Sequence, residues 1–140
     1  MHAPIIPTLR YANARKAIDW LCEAFAFEKH LVVPGDGEDE IAHAQLTYRG
    51  GMIMLGTERD DEFGALQKSV GSVGGVTTQS PYIIVPDADE HHARAVKAGA
   101  KIVTPLYDAD YGGRGYGCKD PEGHLWNFGT YDPWAETLGG

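Results

Sequence analysis

Two cysteines, Cys22 and Cys118, in 140 residues are too few for a disulfide framework, and they lack zinc-ligand spacing. That scarcity suits a reducing compartment, and the chain reads as cytoplasmic. No apolar run approaches the length of a bilayer-spanning helix. The opening stretch MHAPIIPTLR has no charged region followed by an apolar core, so it does not read as a signal peptide. Basic residues are outnumbered, with 12 Lys and Arg against 20 Asp and Glu and a net charge of −8. Nucleic acid and anionic membrane surfaces both require a basic face, so both are disfavoured as partners. Also missing are a Ser-His-Asp order and a glycine-rich phosphate loop. GGRGYG, Gly112 to Gly117, leads into a strand rather than opening a helix, so it is no dinucleotide fingerprint. Cys118 has no evident base beside it, and no catalytic nucleophile stands out.

What is present reads as one domain that buries roughly 70% of its unfolded surface. Pro4 to Tyr11 is rich in β-formers and reads as a strand. Asn13 offers an N-cap, and Ala14, Ala17, Ile18, Leu21 and Phe25 follow at helical spacing. EKHLVVPG, IAHAQLTY and MIMLG then read as three strands, with Gly50 and Gly51 in a tight turn. The order recurs. SPYIIV is a strand, and Asp87 with Glu90 forms a capping box for a helix ended by Gly99. Ala88, His92, Ala95 and Val96 are taken as that helix's packed face, with His91 solvated. AKIVTPLY, GRGYGCK and HLWNFGTY complete the second set of strands. The chain is thus a β-α-β-β-β unit used twice, about 74 residues apart. Module 1 spans about residues 4–57, a linker 58–79, module 2 about 80–131 and a C-terminal tail 132–140. The linker is long enough to cover part of a pocket. Asp120-Pro121-Glu122-Gly123 has the chemistry of a type I turn, which explains Asp120 and Gly123 locally and leaves Glu122 as a solvated turn residue.

The doubled order, together with RYANARKAIDWLCEAFAFE, AHAQL and YGGRGYGCKDPEGHLWNFGTY, resembles the vicinal oxygen chelate superfamily of glyoxalases, bleomycin-resistance proteins and extradiol dioxygenases. The resemblance covers Ile5 to Tyr131. It implies an α+β fold in which two βαβββ modules curl into half-barrel sheets around a cavity, with helices outside. It also implies a homodimer. The superfamily's metal enzymes carry ligands at four strand positions, which fall here on Ile6, Met54, Ser80 and Asn127. These offer neither imidazole nor carboxylate, so no metal and no other cofactor is expected.

Strand alternation from those positions places Arg10, Met54, Tyr82 and Asn127 toward the cavity. His43 and Gln45 share a face and are placed inward, as are Arg114, Tyr116 and Cys118. Trp126 and Phe128 are assigned to the helical layer. Arg10, His43, Gln45, Met54, Tyr82, Arg114, Tyr116 and Asn127 are therefore the expected ligand-binding residues. Tyr107, Tyr111 and Tyr116 suggest an aromatic wall for a planar ligand. No catalytic residue is assigned. The reading this supports is a metal-free binder of a small organic molecule, such as a sequestered drug or toxin. The alternatives are a metal-dependent glyoxalase, lyase or dioxygenase using His43 with Gln45 or Glu58, and a metal-free enzyme using His43 or a tyrosine for proton transfer.

Overall fold

The computed structural model describes residues 2–135, so the end of the expected tail lies outside the described residues. Asn13 accepts a hydrogen bond from Lys16 N–H and opens α1, Ala14–Phe25, whose apolar stripe of Ala14, Ala17, Ile18, Leu21 and Phe25 is buried. The strands around it are β1 (Thr8–Tyr11), β2 (Glu28–Pro34), β3 (Ile41–Tyr48) and β4 (Gly51–Thr57). The second half repeats the order with β5 (Tyr82–Ile84), α2 (Ala88–Lys97), β6 (Lys101–Asp108), β7 (Arg114–Lys119) and β8 (Leu125–Gly129). Sheet 1 runs β1-β4-β3-β2 and sheet 2 runs β5-β8-β7-β6, two four-stranded sheets of the same topology. In each, the first strand is parallel to the last and the other pairings are antiparallel. The α+β repeat expected from the sequence is what forms. The two sheets do not close into a barrel.

β1 and β5 are shorter than the sequence suggests. Prolines at 7 and 81 stand just before them and have no N–H to give a ladder, although both carbonyls still accept, from Met54 and Asn127. The linker is not structureless. Glu58 accepts from Ser69 N–H and from the hydroxyls of Ser69 and Ser72, and this holds a short 3-10 helix at Val70–Val73.

One core serves both halves. Leu9, Leu46 and Leu55 of sheet 1, Trp126 and Phe128 of sheet 2, and the inner faces of both helices form a single buried cluster. Phe25 of α1 sits 4.6 Å from Phe128 and 5.4 Å from Trp126, centroid to centroid. The two helices lie side by side, tied by Trp20 Nε1–H to Ala98 O and by Arg94 to the carbonyls of Cys22 and Glu23. The other face of each sheet carries no helix.

The histidine pair on α2 is the reverse of the expectation. His91 is 7% exposed and packs with Ala88 and Ala95, while His92 is half-exposed against the Tyr116 ring and Val96 is exposed. Residue 91 lies three after Ala88 and four before Ala95, so it shares their stripe.

The β7–β8 turn also does more than turn. Asp120 and Glu122 reach across to the first module: Tyr11 Oη–H donates to Asp120, and Ala12 and Asn13 N–H donate to the two oxygens of Glu122 at 2.7 and 2.8 Å. Glu122 is therefore not a solvated turn residue. Its carboxylate caps the entry to α1, where the helix dipole favours negative charge. Gly123 closes the turn at φ 96°, and a β-carbon there would meet Val70 Cγ1 at 3.1 Å. Gly123→Ala is expected to destabilise the protein by about 1–2 kcal/mol in urea titration, with ligand affinity of the folded fraction unchanged. An unaltered midpoint would show that the turn relaxes freely.

Candidate functional site

Pairing register assigns the faces. On sheet 1, Leu9 pairs with Leu55 and Ala44 with Leu55, all buried, which leaves Arg10, His43, Gln45 and Met54 on the helix-free face. The Gln45 amide donates to His43 Nε2 at 3.0 Å, so that ring nitrogen acts as an acceptor. On sheet 2, Tyr82 and Asn127 are register partners on the helix-free face, opposite to Trp126 and Phe128. Tyr82 lies flat over Gly129, where a β-carbon would meet its hydroxyl at 2.7 Å, and the hydroxyl donates to Tyr131 O. Asn127 Nδ2 donates to Ser80 Oγ at 2.8 Å and to Pro81 O.

Arg114, Tyr116 and Cys118 face the other way, contrary to expectation. Tyr116 and Cys118 are buried in the core, and Arg114 pairs with Asp89 of α2 and with Asp108. The physical reason is in RGYGCK itself. Gly115 and Gly117 occupy the helix-free face, so Arg114, Tyr116 and Cys118 point to the helical side. Arg114 and Tyr116 are withdrawn as ligand residues, and Tyr116 drops out of the aromatic wall. Tyr107 and Tyr111 remain exposed on the open side, with Tyr111 4.7 Å from the Tyr131 ring. A strand that alternates glycine with large residues was the signal that could have set this parity from sequence.

Met52 from sheet 1 and Tyr82 and Ile84 from sheet 2 line a cleft of about 550 Å³, walled by Ile5 and Trp134. Arg49 bounds it on one side, its guanidinium donating to Ile84 O, and Asp132 on the other. Of the expected ligand residues only Tyr82 lines this cleft. Arg49, Asp132 and Trp134 were not anticipated, because nothing local marks a turn arginine or a tail tryptophan as neighbours of β5. Among the described residues, no hydrogen bond or ring contact joins His43 or Gln45 to Tyr82 or Asn127.

Nucleophiles and phenolic acids are muted. Burial pushes the Cys118 thiol up to about 12, with the nearby Asp120 charge adding to it. Burial also raises Tyr82 and Tyr107 above the usual phenol range, assisted by neighbouring tyrosines.

The family model of the Glyoxalase/Bleomycin resistance protein/Dioxygenase superfamily matches residues 6–128. The chain belongs to that superfamily. Among solved structures it is similar to TioX from Micromonospora sp. ML1, at 36% identity and TM-score 0.71, covering 92% of this chain and 97% of that one. The fosfomycin resistance protein FosX from Mesorhizobium loti shares the fold at TM-score 0.63, with 12% identity and 96% of each chain covered. Among curated proteins, the uncharacterised Mb0911c of Mycobacterium bovis is 34% identical over 123 residues, 88% of this chain and 80% of the relative.

The superfamily's metal positions can be tested against these residues. Ile6, Met54, Ser80 and Asn127 supply a hydrocarbon, a thioether, a hydroxyl and a carboxamide, and the last two are hydrogen-bonded to each other. Such a set does not fit zinc, iron or nickel. The alternative starting from His43 fares no better. Its Nε2 is taken by Gln45, and the Glu58 carboxylate is held by Ser69 and Ser72. Among the described residues no group of three or more His, Cys, Asp or Glu could hold a metal ion. No described helix is long and apolar enough to cross a membrane.

Proposed function

We propose that this superfamily member binds a small, largely planar organic molecule without a resident metal, holding it in the cleft and over the adjoining helix-free faces. The cleft carries the reading. Its volume falls in the range of small-molecule sites, and it is apolar and aromatic with one cation and one anion at its rim. Tyr82 presents a ring already flattened against a glycine, at little entropic cost to stacking. His43, Gln45 and Asn127 supply donors and acceptors, and Met54 an adaptable apolar surface. The muted thiol and phenols favour binding over nucleophilic or proton-transfer chemistry.

Assembly belongs to the same reading. Leu31, Val33 and Val103 are 44%, 40% and 42% exposed on β2 and β6, which are open sheet edges. A homodimer that seals these faces answers both.

A panel of neutral flat heteroaromatics, titrated by quenching of Trp134, tests the reading. Saturable micromolar binding is expected, and Tyr82→Ala and His43→Ala are each expected to weaken it at least about fivefold. Purified without a histidine tag, the protein is expected to carry less than about 0.2 equivalents of transition metal and to sediment as a dimer. No binding below millimolar, or stoichiometric metal whose removal abolishes binding, would overturn it.

A further inference from the structure

Arg10 makes no ion pair among the described residues. It lies half-buried on the open face of sheet 1, close enough to the backbone that a β-carbon at Gly56 would meet its Nη1 at 2.5 Å. The guanidinium's one hydrogen bond among the described residues is the long 3.5 Å contact from Nη1 to Thr57 O. Nε is buried with no partner among the described residues. A buried guanidinium is normally paired, and an orphaned donor asks for a missing acceptor. The surroundings sharpen the request. Phe63, from the segment joining the modules, covers Arg10 at 4.9 Å, and its ring is also 5.9 Å from the Arg59 guanidinium. Burial and the nearby Arg59 charge both lower the Arg10 pKa, and Asp61 opposes them only in part. Asp61 itself is committed to Arg59 and to Gly64 N–H.

We propose that the Nε edge of Arg10 is the anchor for a carboxylate on the ligand, admitted when the Phe63 ring slides off it. The edge formed by Nε and Nη2 matches the two oxygens of a carboxylate, and an anion there would also relieve the repulsion between the two arginines. This rests on the small-molecule reading above, on the helix-free face of sheet 1 rather than in the cleft, which Arg10 does not line, and it adds the ligand's charge, which the chain's own negative balance would not suggest.

The probe pair is sodium benzoate and its neutral isostere benzamide, at constant ionic strength. Benzoate is expected to bind at least tenfold tighter than benzamide. Arg10→Gln is expected to abolish that preference, and Asp61→Asn, which removes the competing internal carboxylate, to strengthen it. Should Arg10→Gln fail to fold, the Arg10 Nε–H resonance of the native protein decides, because benzoate and not benzamide must shift it. Equal binding of the two probes, a preference that survives Arg10→Gln, or an unmoved resonance overturns the proposal. If neutral heteroaromatics still bind in that case, the carboxylate anchor alone falls; if no compound of either kind binds, the binding reading falls with it.

Discussion

Asp120→Ala is expected to lower folding stability by about 3–5 kcal/mol, a large share of what a domain of this size possesses. The carboxylate is 4% exposed and accepts four hydrogen bonds. Oδ2 takes Tyr11 Oη–H at 2.5 Å and Trp126 Nε1–H at 3.1 Å. Oδ1 takes the backbone N–H groups of Glu122 and His124 at 3.1 and 3.0 Å. Truncation leaves the Tyr11 hydroxyl and the Trp126 indole in the core with no acceptor. Asp120→Asn is expected to cost nearly as much, since an amide nitrogen placed where Oδ2 stands would confront two donors with a third. Glu122→Gln keeps an acceptor for α1 and is expected to cost about 1 kcal/mol. Urea unfolding of the three variants checks the ranking, and an Asp120→Ala protein within 1 kcal/mol of the parent would refute it.

Acid is expected to destabilise the protein through His91. Its Nε2–H donates to Phe25 O at 3.2 Å, so Nδ1 is the acceptor for the Tyr116 hydroxyl at 2.6 Å. Only the bond from Tyr116 needs the neutral ring, since Nε2–H still donates when the ring is charged, but charging it here means holding a cation away from water. Burial therefore lowers its pKa from 6.5 to about 4, helped by the Arg94 charge and opposed by the bond to Phe25. Between these values the unfolded chain binds the proton that the folded one refuses. Stability is complete above pH 6.5 and falls as the pH drops toward 4, by up to about 3 kcal/mol. Carboxylates titrate nearby, so the comparison is between the native protein and His91→Gln. The difference in their stabilities should shrink steadily from pH 7 to pH 4. Parallel curves would mean that His91 protonates without disturbing its neighbours.

The fold was legible wherever a local pattern carried it. The α1 stripe and the Asn13 cap define that helix to the residue, and the repeated order of elements announced two equal sheets. The errors arose where a pattern was ambiguous or a partner was far away. For β7, alternation alone leaves the two faces equivalent, and only its glycines mark the open one. On α2, adjacent histidines differ by about 100° around the axis, and the alanines at 88 and 95 select the first of them. Asp120 and Glu122 looked complete as turn residues because turn chemistry is local, whereas Tyr11, Ala12 and Asn13 lie 109–110 positions away. The cleft was invisible for the same reason, since Arg49 and Trp134 meet β5 only after both halves are in place. Arg10 was readable as a cavity-facing residue, but not as one lidded by Phe63.

The contacts that cap α1 also set a timetable. A chain emerging from the ribosome exposes Ala12 and Asn13 long before Glu122 exists, and Tyr11 long before Asp120. Until the last hairpin is made, the first helix has open N–H groups, β1 has a stray hydroxyl, and Phe25 lacks Trp126 and Phe128. Loop closure over such a separation is slow compared with forming either half's own strands. The first half is thus built early but finished last, and the whole chain should gain its resistance to proteolysis in one step, when the final turn arrives.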